Sequence, residues 1–323
     1  MNPRSIKRRS PWRRLRRATR GPRNATLARV IYVTGWLFGR LPLPLGLAIG
    51  RALGSAAHAL LASPRRLALV HMGIAFPALD LAARRRLVRA TFNHAGESFA
   101  ELWLFEKILG CRGYVQLEGA GALDAALAEG RGAIAVTGHV GNWELLAAWA
   151  AAVGYPITVI VRRVNDLRFH ALIVGFRAAA GVEILARDDP HFLTAVREAL
   201  QRNRVVAMLI DQDTRGAGVF VPFFGRLAHT PPGAAILALR ARVPVVTVFI
   251  ERRADGGHLV RVGRVAADES RGRDGVRALT TRLTAAIEAQ IRRSPAEWVW
   301  WHERWRRRPP ETGVRLYSPE TAC

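Results

Sequence analysis

The chain of 323 residues reads as a mixed α/β protein: a mostly parallel central sheet flanked by helices, with an N-terminal helical membrane-associated segment. Three observations lead to that reading. Short β-rich apolar runs alternate with Ala-rich helical runs from about residue 114 onward, the pattern of a sheet with helices on its faces. Half of the residues are hydrophobic, enough for a large core and too many for a disordered chain. The first sixty residues pair a basic run with three greasy pieces, a combination suited to an anionic membrane surface.

Taken in chain order, residues 1–29 form a basic leader that opens with MNPRSIKRRSPWRRLRRATRGPR and has almost no apolar periodicity. Such a run is expected to be disordered in water and drawn to anionic surfaces. Residues 30–64 hold VIYVTGWLFG, LPLPLGLAIG and ALGSAAHALLASP, interrupted by Arg40, Arg51 and two prolines. A spanning helix needs about 20 apolar residues in a row, so an interfacial anchor whose arginines snorkel is expected, with a buried helical hairpin as the other reading. A helical stretch covers about 65–110, with apolar residues at three-to-four spacing. It opens the main domain, residues 65–310, and a short tail, 311–323, ends the chain. GAIAVTG (132–138), PITVIV (156–161), RVVAMLI (204–210) and PVVTVFI (244–250) predict buried strands, and HLVRVGRV (258–265) a strand with one wet face. NWELLAAWAAAVG, DLRFHALIVGFRAAAG, HFLTAVREALQRN, PPGAAILALRARV and VRALTTRLTAAIEAQIRR predict helices, with Thr230 capping the one that starts at Pro231.

Charge narrows the partners. Lys and Arg number 49 against 25 Asp and Glu, a formal charge of +24, which calls for something anionic; a genome whose base composition favours Arg and Ala is the other reading. The greasy pieces favour a membrane over nucleic acid, because a nucleic-acid arm needs no grease. Aromatic residues interleaved with the basic leader would support base stacking, and Trp12 alone is there. Cys111 and Cys323 make no disulfide framework. Metal-ligand spacing, a P-loop and a dinucleotide glycine loop are absent from the sequence, so no metal and no cofactor are expected.

The chemistry concentrates in TGHVGNWELL (137–146), at the end of a predicted strand, where α/β sheets gather their ligands. His139 and Glu144 lie five positions apart, and among nine histidines about one such pair arises by chance. The setting carries more than the spacing. With His139 on the turn and Asn142 capping the next helix, Glu144 falls in the first turn and can reach back to the imidazole. Gly138 and Gly141 allow positive φ and close approach of a substrate. A carboxylate on one ring nitrogen leaves the other free to take a proton. Neither a G-x-S-x-G elbow nor a Cys–His pair is present, which points to a base that activates a hydroxyl of the substrate itself. A core histidine beside a capping glutamate is the structural alternative.

TGHVGNWELL, the DQD of Asp211–Asp213, the VPFFG of Val221–Gly225 and EWVWWHERWRRRP (297–309) occur in that order. Together they resemble the lipid A late acyltransferases, the lauroyl and myristoyl transferases of the lysophospholipid-acyltransferase-like group, over roughly residues 30–310. The resemblance implies transfer of a fatty acyl chain from an acyl-carrier-protein thioester to a hydroxyl of a lipid A precursor or related glycolipid, at the cytoplasmic face of the inner membrane. It implies the acidic carrier protein, an anionic membrane lipid and a lipid acceptor as partners. It makes His139 the general base and Glu144 the acid that orients it, with Asp211 positioning the site. Arg162 matches an arginine that contacts phosphate or the oxyanion, but Arg163 comes next where many relatives have proline, so either can serve; Asp211 and Asn142 are the further candidates for substrate or oxyanion binding. Trp143, Phe223 and Phe224 become candidates for an acyl-chain pocket, core packing being the other reading of the two phenylalanines. The tail residues Trp298, Trp300, Trp301 and Trp305 with their arginines suit either a headgroup site or packing on the sheet. Acceptors of another kind, a lysophospholipid or a mannosylated phosphoinositide, and an inactive lipid-binding protein of the same fold are the alternatives.

Overall fold

The computed structural model describes residues 35, 37–161, 177, 178, 180–214, 216–266 and 272–309. The basic leader, most of the first greasy piece, most of DLRFHALIVGFRAAAG, Arg162, Arg163 and the last fourteen residues lie outside them.

Helices α1 (Leu43–Leu60), α2 (Ala62–Ala75) and α3 (Leu81–Gly110) come first. Next in the chain are β1 (Val115–Glu118), α4 (Ala120–Ala128), β2 (Ala133–Thr137), α5 (Trp143–Ala152) and β3 (Ile157–Val161). They are followed by β4 (Glu183–Ala186), α6 (Phe192–Gln201), β5 (Val205–Leu209) and the hairpin β6 (Val219–Phe223) and β7 (Arg226–Thr230). The chain continues through α7 (Gly233–Ala241), β8 (Val245–Arg252), β9 (His258–Val265), α8 (Gly272–Arg293) and a 3₁₀ turn at Pro295–Glu297. Seven strands form one sheet in the order β1-β9-β8-β2-β5-β3-β4, parallel throughout except between β8 and β9. The mixed, mostly parallel sheet expected from the sequence is therefore what forms.

Both faces of the sheet are covered, and the period-two alternation of the strands divides the core accordingly. Ile134, Val136, Val206 and Val245 pack with α6, α7 and α8 on one face. Ala133, Ala135, Val205 and Val246 pack with α4 and α5 on the other. Strands buried on two sides explain why the predicted runs are almost uninterrupted apolar stretches.

Arg51 does not break the greasy stretch. α1 runs straight through it, because the side chain turns outward, 65% exposed, and Nε meets Oε1 of Glu97 on α3 at 2.6 Å. Glycine sets the spacing of that helix pair. A Cβ at Gly50 would stand 2.6 Å from the Gly96 carbonyl oxygen, so the two backbones touch as only small residues permit. Residue 65, where the sequence suggests the main domain begins, lies inside α2. Among the described residues no single helix is long and apolar enough to cross a membrane; α1 and α2 pass together but meet at 91°.

Several elements escape the periodicity argument. β1 and β4 are four-residue edge strands, and β6–β7 forms a separate ribbon that tolerates the exposed Pro222. Thr230 does not cap α7. The cap is Pro232, and the Thr230 hydroxyl donates to the Ala228 carbonyl while accepting from Arg304.

Candidate active site

Strands β2 and β5 are parallel neighbours with Thr137 opposite Leu209. Two residues beyond those paired ends the register delivers His139 on one side and Asp211 on the other. Nδ1 of His139 donates to Oδ1 of Asp211 at 2.8 Å. Oδ2 of Asp211 accepts the His139 backbone N–H at 2.8 Å and the Trp298 indole N–H at 2.7 Å. Asp211 is buried. Burial alone would raise its carboxyl, but the charge and donors of His139 and the indole prevail and lower it to about 2. With Nδ1 committed as a donor, Nε2 is the ring nitrogen left to exchange a proton, and the imidazole is 24% exposed.

The turn that carries His139 is held from several directions. Asn142 caps α5 through Leu145 N–H, as the sequence suggests, and its amide donates to Glu101 Oε2 at 2.8 Å. Glu101 on α3 is buried, and also receives His258 Nε2 and Arg252 Nη1, each at 2.8 Å. Burial opposes its charge, but His258 and Arg252 lower its carboxyl to about 2. Gly141 has φ +66°, and a Cβ there would stand 1.8 Å from the Ile250 carbonyl oxygen, so this glycine is obligatory. Residues 297–299 run along the turn: Gly141 N–H donates to Glu297 O, Val140 bridges Trp298, and Val299 N–H donates to His139 O.

Glu144 is elsewhere. It sits in the first turn of α5 as expected, but both carboxylate oxygens are taken by Arg177, at 2.6 and 2.9 Å. The imidazole is turned to β5, so the partner of His139 is Asp211 and not Glu144. The Glu144–Arg177 pair instead borders an apolar cavity of about 70 Å³ between α5 and the sheet. Ala135, Ala207 and Val248 line the sheet side; Trp143, Ala147 and Ala150 line the helix side. Trp143 connects the two features, its ring edge-on to the His139 imidazole with centroids 4.9 Å apart. Phe223 and Phe224 do not line this cavity. They are buried on the opposite face, packed on one another and on Trp298, Trp300 and Trp305.

The tail motif is mostly interior. Trp298, Trp300, Trp305 and Arg304 are fully buried. Arg304 donates to the His229 carbonyl and the Thr230 hydroxyl, with its guanidinium 5.0 Å from the Phe223 ring centre. Burial lowers Arg304 to about 10, partly offset by Asp211 and Asp213. Asp213 joins His229 Nδ1 at 2.9 Å and Arg306 at 2.8 Å, and its N–H donates to His302 Nε2. Burial lowers the His302 imidazole as well. Among the described residues no group of three His, Cys, Asp or Glu side chains is placed to hold a metal.

Sequence reasoning offers Trp298 only for a headgroup site or for packing, not as a partner of Asp211, and does not single out Arg177. Trp298 reads as one of four tail tryptophans, and nothing in its spacing marks the one that meets Asp211. Arg177 lies in a predicted helix with no motif of its own.

The chain is similar to several known acyltransferases. It is 28% identical over 184 residues to the phosphatidylinositol mannoside acyltransferase of Mycolicibacterium smegmatis, covering 56% of this chain and 59% of that protein. It is 23% identical over 282 residues to the lipid A biosynthesis palmitoleoyltransferase of Escherichia coli, covering 85% and 89%. It is 26% identical over 281 residues to the lipid A biosynthesis lauroyltransferase of the same organism, again covering 85% and 89%. The match to the mycobacterial relatives thus spans less than two thirds of their length. The family described as bacterial lipid A biosynthesis acyltransferase matches residues 16–307; with nearly the whole described fold inside that match, the chain belongs to this family.

Proposed function

We propose that this protein is a membrane-associated O-acyltransferase that moves a fatty acyl chain from an acyl-carrier-protein thioester to a hydroxyl of a lipid A precursor or related glycolipid. The observation that carries the proposal is the buried Asp211 on Nδ1 of a partly exposed His139, beside an apolar cavity.

The chemistry is that of a base held by a carboxylate. Nε2 of His139 removes the proton of the acceptor hydroxyl as its oxygen attacks the thioester carbonyl carbon. Asp211 stabilises the imidazolium that forms. The tetrahedral intermediate collapses with cleavage of the C–S bond, and the departing thiolate takes the proton from Nε2. Arg162 or Arg163 is the candidate for charge on the intermediate. Glu144, locked to Arg177, shapes the rim of the chain site rather than the base. The acyl chain enters the cavity past Trp143. Its present volume is small for a whole chain, so admission requires α5 and the sheet to part.

Membrane association at the cytoplasmic face of the inner membrane is part of the proposal. Leu45, Leu53 and Leu60 stand 49%, 48% and 80% exposed on α1, and the basic sequence of residues 1–29 suits anionic lipid. The acidic carrier protein would dock by charge complementarity on a chain of net charge +24. A mannosylated phosphoinositide is the second acceptor class, favoured by the similarity to the mycobacterial acyltransferase.

The test is acyl transfer by detergent-solubilised protein from lauroyl, myristoyl and palmitoyl acyl-carrier-protein to a lipid A precursor, a phosphatidylinositol mannoside and a lysophospholipid. Turnover on one acceptor, lost in His139→Ala, supports the reading. Binding of these lipids without turnover would identify an inactive lipid-binding protein instead.

A further inference from the structure

We propose that Trp298 is a positioning residue for the acyl-transfer base: its indole N–H holds Oδ2 of Asp211 so that Oδ1 stays aligned with Nδ1 of His139. The inference rests on the reading of His139 as base, and concerns a residue that touches neither substrate nor the reacting atoms.

Four observations support it. The indole–carboxylate bond is 2.7 Å long and both partners are fully buried, so water does not compete for it. The carboxylate needs the restraint, because rotation about the last bond of an aspartate is soft. Without the indole, Oδ2 would keep only the His139 backbone N–H. An indole is a donor only, so it orients the carboxylate without competing for the proton that passes through His139. A hydroxyl or imidazole in its place would add an acceptor.

The other tryptophans show that packing does not force this contact. In the same aromatic cluster, the Trp300 indole N–H donates to the Pro295 carbonyl at 2.7 Å, and the Trp305 indole N–H has no hydrogen-bond partner among the described residues. Trp298 alone is aimed at Asp211 among the described residues. Its backbone is part of the same device: residues 297–299 make the three backbone contacts that hold the histidine turn. One segment therefore sets the turn carrying His139 and the carboxylate facing it.

Among the described residues, His302, Arg304 and Asp213 are charged or titratable groups near the pair. His302 interacts with both Asp211 and His139, and Arg304 with Asp211 and Asp213. Trp298→Phe removes none of these charges, so the expected effect on pH dependence has a definite sign. A carboxylate with one donor fewer presents more of its charge to the imidazole and favours the imidazolium. The acidic limb of kcat/KM must then move to higher pH.

The experiment compares wild type, Trp298→Phe, Trp300→Phe and His139→Ala, using lauroyl-acyl-carrier-protein and a lipid A precursor. For Trp298→Phe, kcat should fall about ten- to a hundredfold, the range for losing one charge-assisted hydrogen bond. KM for both substrates should stay within about threefold, and the acidic limb should rise by about half a pH unit. Trp300→Phe is the packing control, and its acidic limb should stay where it is. Equal behaviour of the two phenylalanine variants would overturn the inference while leaving the base intact. Wild-type turnover in His139→Ala would overturn the base reading itself, and this inference with it. Should Trp298→Phe not fold, benzothienylalanine at position 298 keeps the ring shape and removes the N–H. Should no substrate turn over, the His139 imidazole titration followed by NMR reads the same upward shift, and its absence counts against the proposal.

Discussion

Glu144 and Arg177 form a two-point ion pair at the rim of the apolar cavity, while His139, five residues before Glu144, is paired across the sheet with Asp211. The spacing of a sequence motif and the wiring of its side chains are thus different things here. Asp211→Asn should cost roughly a hundred- to ten-thousandfold in kcat, as when an orienting carboxylate is lost. Glu144→Gln should cost far less, about tenfold, and mainly in KM for the acyl donor. In a double-mutant cycle Glu144→Gln and Arg177→Met should be non-additive with each other and additive with Asp211→Asn. Equal losses for Glu144→Gln and Asp211→Asn would contradict this assignment.

The cavity makes a prediction about chain length. Ala147 lines it from α5, and a larger side chain there occupies space the chain needs. Ala147→Leu should shift the preference of the enzyme toward shorter acyl donors in a competition between palmitoyl and lauroyl thioesters. Overpacking at such a site costs about 1–3 kcal/mol, which thermal unfolding would register. An unchanged chain preference in a folded variant would place the acyl chain elsewhere.

Glu297 predicts a pH-dependent stability. Burial pushes its carboxyl from 4.5 up to about 7, against the pull of Arg252 and with Glu251 and Glu101 adding to the rise. Between those values the native state binds a proton that the unfolded chain does not. Its contribution is complete below about pH 4.5 and is lost as pH rises through about 7. Glu297→Gln removes the titration, so the melting temperature of the variant minus that of wild type should increase from pH 4.5 to pH 7. Melts across that window test it, and a flat difference would show that Glu297 ionises normally.

The exposed leucines of α1 give a membrane test. Leu53→Ser with Leu60→Ser changes groups that pack on little, 48% and 80% exposed, so the melting temperature should barely move. Sedimentation with anionic vesicles should drop severalfold. Undiminished binding would assign the membrane contact to another part of the chain.

Legibility in the sequence depended on local pattern. The strands β2, β3, β5 and β8 announce themselves as apolar runs because each is buried on both faces. Asn142 is readable as a cap because capping is a contact three residues long. β1, β4 and the β6–β7 ribbon are short or carry a proline, and periodicity over so few residues carries little information. Thr230 shows the opposite failure: a residue with the right local chemistry for a cap was taken by Arg304, 74 positions away.

By itself the sequence determined the α/β class, the greasy basic N-terminus and the turn after β2 as the candidate site. Each of these depends on side chains within a few residues of one another. Only the tertiary structure decided the partner of His139, because that depends on the register of β2 against β5, which places Asp211 opposite at 72 residues' separation. The tertiary fold also sets Glu144 against Arg177 and brings Trp298 onto the carboxylate. A parallel sheet pairs strands distant along the chain, and spacing within ten residues holds no record of which ends will meet.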